Sequence, residues 1–291
     1  MDWESFKEIV RAILPRSLTK LEFEDEQIIY TINEKNYVYT IQEFNEIISN
    51  FSHYTNCATY IYNQNEIEVL LDPLESRYSR PWLRFHDKGV FISGGNISYR
   101  IQTPSNELTL ALLSAIPKDE IRDYRRMVSA QIWGHRYAEK ENPNINLFDI
   151  LLGLTRASWS IKIVSSETIP LDDLKKYANA FLFNLSYNTG TAFKLTFDIS
   201  DLSLNRSRVM HQPRLNQDQI EAPKLFYYSE LTEQYNLALS SDDAFIQFIS
   251  YYHIMEYFFD HVYNEALLAN VKEILQHPSF STKSNKEIMN E

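Results

Sequence analysis

One edge of a helix-forming run, residues 242–264 (DDAFIQFISYYHIMEYFFDHVYN), gathers Ser250, His253, Glu256, Asp260, His261 and Asn264. Positions three and four apart share a helix face, so imidazole and carboxylate groups stand one turn from each other. His253 and Glu256 read as H-x-x-E, a spacing that places two metal ligands on one face. A metal site needs further ligands, and no second helix offers a matching carboxylate and histidine. A solvent-facing polar stripe is therefore the favoured account, and no metal or other cofactor is expected. The opposite side of the same run carries Phe245, Phe248, Ile249, Tyr252, Met255, Phe259 and Val262, which predicts a core helix buried by its apolar face.

A second concentration of chemistry lies in KDEIRDYRRMVSAQIW, where Arg122, Arg125 and Arg126 precede Gly134, His135 and Arg136. Such a cluster contacts phosphates in nucleic-acid binders. Here Asp119, Glu120 and Asp123 are interleaved, and a solvated helix face is the plainer reading. The single cysteine, Cys57, excludes an internal disulfide and a cysteine-rich zinc site, and in TNCATYIY it reads as packed in a strand. There is no Walker loop, no G-x-S-x-G elbow and only 6 glycines, so phosphate-cradling cofactor folds lack support.

The elements that position these groups follow from periodicity. Asp2 caps a first helix with the stripe Trp3, Phe6, Val10 and Ile13, stopped by Pro15. LTKLEFED, EQIIYTINE and NYVYTI alternate as strands, with Asn33 to Asn36 as turn chemistry between the last two. A helix from Glu43 to Phe51 leads to a strand pair, TNCATYIYN and NEIEVLLD, closed by Pro73. Two or three strands between Pro81 and Thr103 include a hairpin turn at Gly94 and Gly95, after which Ser105 opens the helix ELTLALLSAI and Pro117 breaks it. A loop at AEKENPN, a helix NLFDILLGLTRA, a strand WSIKIVSS, a helix LDDLKKYANAFLFNLSY and a strand AFKLTFDIS complete this part.

From Asp201 the texture turns polar, DLSLNRSRVMHQPRLNQDQIEAPK, and reads as a linker. Only helices follow: FYYSELTEQYNLALS with Tyr228, Leu231, Tyr235 and Ala238 on one face, then an N-cap cluster at residues 240–243, the run described first, and a further turn or two ending at Pro278. The class is α+β without regular βαβ alternation: a mixed α/β region with antiparallel strands over residues 1–215 and an all-α module over 216–291. The chain of 291 residues has a net charge of -11, against a surface that attracts nucleic acid as a whole. No apolar run suits a bilayer, and the acidic start MDWESFKEIV is unlike a signal peptide, so a cytoplasmic protein without a membrane partner is expected.

The pattern YYSELTEQYNLALSSDDAFIQFISYYHIMEYFF resembles the first two helices of the HEPN superfamily as they appear in ApeA-like bacterial proteins. The likeness covers roughly 50 to 60 residues. It implies a dimeric helical module that binds RNA or cleaves it without metal, used in anti-phage defence. In that family an Arg-x4-6-His pair on a later helix holds the building phosphate charge and serves the 2′-hydroxyl, while a polar residue on the preceding helix orients the pair. Glu256 matches that helper position, with His253 and Asp260 on the same edge. The last arginine is Arg214, so the pair has no counterpart after Glu256. The chain is then either a fragment that ends before that helix or a non-catalytic relative.

Two Arg-to-His spacings occur upstream, Arg206 to His211 in NRSRVMH and Arg80 to His86, where roughly one is expected by chance. Arg206 and His211, just before the helical module, complete the candidate catalytic set with His253, Glu256 and Asp260. The N-terminal region is assigned a sensor or regulatory role from architecture. The expectation is thus an RNA-related, homodimeric, metal-independent endoribonuclease or part of one. The alternative is a non-catalytic interaction or dimerisation protein that uses its aromatic helices. No small-molecule cofactor enters either reading.

Overall fold

A computed structural model describes residues 1–14, 20–32, 35–74, 90–116, 125, 146–151, 159–198, 220–241 and 243–276. The chain divides into two compact units, Met1–Tyr227 and Tyr228–Glu291. The class is α+β, with antiparallel strands and helices first and helices alone afterwards.

The first helix, α1 (Trp3–Ile13), forms as its spacing predicts. Asp2 Oδ1 accepts the Ser5 N–H at 2.7 Å, and Trp3, Phe6, Val10 and Ile13 are all buried. A meander of β1 (Lys20–Phe23), β2 (Gln27–Ile32) and β3 (Lys35–Thr40) follows, and the Trp3 indole donates to the Asp25 carbonyl at 2.7 Å. Thr40 and Glu43 then close a reciprocal capping box that starts α2 (Ile41–Phe51). The Phe6 ring meets Phe44 at 4.8 Å and Phe148 at 6.0 Å, tying α1, α2 and α4 (Leu147–Leu151) into one aromatic core.

Among the described residues the main sheet has seven strands: β4 (Thr55–Cys57), β5 (Tyr60–Tyr62), β6 (Glu66–Leu74), β7 (Val90–Gly94), β8 (Ile97–Gln102), β9 (Ser160–Ser165) and β10 (Ala192–Thr196). Their path is β4-β5-β6-β9-β8-β7, all antiparallel, and the later half of β6, residues 70–74, also takes β10. Two expectations need correction. TNCATYIYN is two strands with a turn at Ala58 and Thr59, because Asn56 then folds back opposite Ile61. β6 does not close at Pro73 but runs through it to Leu74, opposite Phe193 and Ala192. A proline forfeits only the ladder bond its missing N–H would make, and the remaining pairs with β10 carry the strand past it.

Alternation along β6 sends Ile67, Val69 and Leu71 to one face, where α5 (Leu171–Thr189) packs through Phe181 and Leu185. Phe181 stacks on Tyr99 at 4.8 Å, and both are buried. Leu70 belongs instead to the other core, with Ile61 and the residues of α3 (Asn106–Ala115). The β7–β8 hairpin turns at Gly95, whose φ of 70° no side chain readily adopts, as the glycine pair predicts. Cys57 stands in β4 but is exposed, not packed, since all three residues of that short edge strand face out.

The second unit is a hairpin of α6 (Ser229–Ser240) and α7 (Ala244–Gln276). α7 is continuous over 33 residues, so the expected separate last turns are its own C-terminal half. No helix among the described residues is long and apolar enough to cross a membrane. The turns at Pro15 and Asn33, most of the basic helix, the loop AEKENPN, residues 199–219 of the linker and the end at Pro278 lie outside the described residues.

Candidate functional site

α7 is set in place by its cap. Asp243 Oδ1 accepts the Phe245 N–H at 2.8 Å, and the Gln247 amide donates to the Ser241 carbonyl at 2.7 Å. α6 lies antiparallel beside it: Tyr235 meets Tyr251 at 6.3 Å and Tyr228, at the cap of α6, meets Tyr257 at 5.5 Å, so the pairs separate in opposite directions from the turn. That packing pushes the Tyr257 phenol above its usual range, first by desolvation and then through Tyr228.

The face turned to α6 is not the expected one. Ser250, from the polar edge, is the buried residue of α7 at 2% exposure, while Phe245, Phe248, Tyr252, Met255, Phe259 and Val262 are 46–70% exposed. The predicted core face therefore points away from the partner helix. The reason is geometric. Tyr251 and Tyr257 make the two tyrosine contacts to α6 with buried Ser250 and half-buried Ile254 between them, and Phe245, Phe248, Tyr252 and Phe259 lie well over a hundred degrees round the helix from Ser250 and Ile254. α6 is also short, about 18 Å against about 50 Å for α7 at 1.5 Å per residue. Residues 260–273 of α7 are accordingly exposed on every side.

On the polar edge, His253 Nδ1 lies 3.3 Å from Glu256 Oε2, each side chain 52% exposed. One turn on, His261 Nε2 lies 3.3 Å from Glu265 Oε1, and Asp260 is exposed between the pairs. The structure thus brings His253 and Glu256 together, and Asp260 bonds to neither. Arg206 and His211 lie outside the described residues, as do Arg80 and His86. A histidine held by a carboxylate is suited to move a proton. Stabilising a phosphorane-like charge needs a cation as well, and residues 228–276 contain eight carboxylates, no arginine and one lysine, Lys272. No cluster of three or more metal-ligating side chains occurs among the described residues. Of the basic cluster, Arg125 is described, and its Nε donates to the Ala12 carbonyl at 2.9 Å.

A polar network in the first unit went unremarked in the sequence. Glu68, at the centre of β6 and 1% exposed, accepts at Oε1 from Ser160 Oγ at 2.7 Å, the Ser105 N–H at 2.9 Å and the Gln102 amide at 3.4 Å. Its Oε2 has no partner among the described residues. On the same face Lys162 Nζ lies 3.3 Å from Glu66 Oε2, and the Tyr54 hydroxyl donates to Glu66 Oε1. Burial and then this bond hold the Tyr54 phenol well above its usual range. The signal was available: E-I-E-V-L in β6 places two carboxylates on one face of a strand whose other face is apolar. No protein-family model, no curated protein and no solved structure matches the chain.

Proposed function

We propose that the C-terminal hairpin is an assembly module that pairs two copies of this chain through the outward face of α7. The observation that carries the reading is the orientation of that helix: fourteen of its large apolar side chains are exposed within a single chain. At roughly 150–250 Å² for a large aromatic side chain, half-exposed groups in that number offer on the order of 1,000 Å². A standard interface takes about 800 Å² from each partner. The stripe Phe245, Phe248, Tyr252, Met255, Phe259 and Val262 is itself apolar, with the exposed carboxylates Glu256 and Asp260 along one border, and an isologous pairing through it closes on itself. In this frame the protein is an HEPN-like, RNA-related bacterial protein of anti-phage defence, with the first unit as its sensor or regulatory part.

Sedimentation of the full chain at micromolar concentration tests the pairing. Wild type runs as a dimer and Phe248→Asp with Phe259→Asp as a monomer with the same circular dichroism. A monomeric wild type would end the reading and assign the face to another occupant, the chain's own first unit included.

The contact between His253 and Glu256 favours a second reading, a metal-independent endoribonuclease. It requires that RNA be cut in the presence of EDTA by wild type and not by Glu256→Ala. If wild type cuts nothing, the module is an interaction surface only.

A further inference from the structure

Alternation along β8 and β9 turns Tyr99, Ile101, Ile161 and Ile163 to the core beneath α5, so Ser98, Arg100, Lys162 and Val164 share the opposite face of the sheet. Near β6 that face is covered, since Leu70 there joins the core of α3. Towards the β7 edge it is open: Phe91 is 46% and Val164 36% exposed, and Arg100 is exposed beside them. The strand register sets Phe91, Arg100, Lys162 and Glu68 in one row across β7, β8, β9 and β6.

Two cations stand directly opposite each other in that row, Arg100 and Lys162, an arrangement that costs stability in the bare sheet. Lys162 is answered by Glu66 at 3.3 Å. Arg100 is not. Among the described residues it has no carboxylate partner, and its guanidinium carbon lies 5.2 Å from the centre of the Phe91 ring. β7 and β8 contain no carboxylate, and Ser93 and Ser98 add a pair of hydroxyls in the next row. In a chain with 39 acidic and 28 basic residues this part of the surface is a local exception.

A half-exposed ring beside an unanswered guanidinium suits a ligand that carries a flat apolar group and a negative charge a few ångströms apart. A nucleotide has both: its base stacks on rings and guanidinium planes, and its phosphate fits the guanidinium fork. A carboxylate of an acidic peptide would take the guanidinium and leave the ring unused. We propose that the open face of β7 and β8 binds single-stranded nucleic acid, with a base stacked on the Phe91–Arg100 pair and the adjoining phosphate held by Arg100. The face from β7 to β9 is about 10 Å wide, room for roughly two or three nucleotides. This gives the first unit of the RNA-related reading a ligand, and it rests on the sheet and not on the pairing of α7.

The test is fluorescence anisotropy of the full chain with labelled eight-nucleotide oligouridylate and oligodeoxythymidylate over a series of salt concentrations. Wild type binds at least one of the two strands; binding of neither overturns the site. Phe91→Ala weakens binding roughly tenfold, on the scale of one stacked base. Arg100→Gln weakens it too, and lowers the slope of log affinity against log salt by about 0.7, one phosphate contact on a single strand. Both side chains are exposed, and tryptophan fluorescence checks that the variants stay folded. Lys176→Gln removes an exposed cation from α5, on the other side of the sheet, and leaves binding unchanged. Equal losses in the Lys176 and Arg100 variants overturn the site, because the attraction is then general. So does an acidic octapeptide that competes as well as the oligonucleotides, because stacking then has no part. The variant with Phe248→Asp and Phe259→Asp binds as wild type does, which keeps the site even where the pairing of α7 fails. Loss of binding in that variant places the nucleic acid on the helical module and overturns the sheet site.

Discussion

The two units use the same residue types to opposite ends. In the first, Phe6, Phe44, Phe148, Phe181 and Phe193 are each at most 2% exposed, and neighbouring rings interlock across helices and strands. In the second, Phe245, Phe248, Phe258 and Phe259 are 52–70% exposed on a helix whose cap and hairpin are well formed. Aromatic content by itself therefore says nothing of a core. What separates the regions is the number of elements each side chain has to pack against, seven strands and several helices in one case and a single short helix in the other.

The sharpest way to break that contrast is to make one substitution in both places. Phe181→Ala removes a ring enclosed by β8, β9 and α5 and is expected to cost about 3–5 kcal/mol in denaturant unfolding. Phe259→Ala should stay within about 0.5 kcal/mol in dilute monomer. All four tryptophans, Trp3, Trp82, Trp133 and Trp159, belong to the first unit, so their fluorescence follows that unit alone. A large effect of Phe259→Ala on the tryptophan transition would show that α7 is covered by its own chain.

Glu68 offers the next largest effect. Glu68→Ala leaves the Ser105 N–H without its acceptor and Ser160 Oγ with only the Gln102 carbonyl at 3.5 Å, at about 1–3 kcal/mol for a stranded buried group. Glu68→Gln keeps one oxygen in place and should cost less than half as much, measured by the same unfolding. Equal costs would mean that the charge, and not the acceptor, holds β6 to α3. Ser105→Ala, which removes the cap that accepts the Leu108 N–H at 3.2 Å, should cost about 1 kcal/mol.

The smallest effect is a trend with pH. Burial first, and nearby carboxylates after it for Tyr30 and Tyr39, raise the phenols of Tyr30, Tyr39 and Tyr99 well above their usual 10.0. Folded phenols that resist ionisation contribute stability that is fully present below pH 10 and is lost as pH rises further, because the unfolded chain releases those protons first. Thermal midpoints of the first unit should therefore fall between about pH 10 and 12. Replacement of Tyr99 by Phe should flatten the fall.

Much of the fold was legible. Asp2 before Trp3, Thr40 before Glu43 and Ser105 before Leu108 announce helix starts because a side-chain oxygen there satisfies a particular N–H, which is a local matter. Gly95 announces a turn for the same reason. The face of α7 was legible as a face but not as to what it meets: a period of three and four marks residues that want a partner, while the tyrosines of α6 decide which side that helix takes. Glu68 could be placed on a strand, yet its acceptors' donors come from residues 102, 105 and 160, and no local pattern carries contacts across such spans. Ile220 shows the limit in the other direction, a buried residue hidden in polar surroundings.

Glu68 and Ser160 are 92 positions apart, although they touch in the finished sheet. At roughly 5–20 residues per second, β6 leaves the ribosome some 5 to 20 seconds before β9 can pair with it. Through that interval Ile67, Val69 and Leu71 form an apolar edge with half of its ladder open. The hub of the sheet is thus also a segment open to wrong pairing during synthesis, and Glu66 and Glu68, alternating with Ile67 and Val69, are charges of the kind that disfavour such pairing.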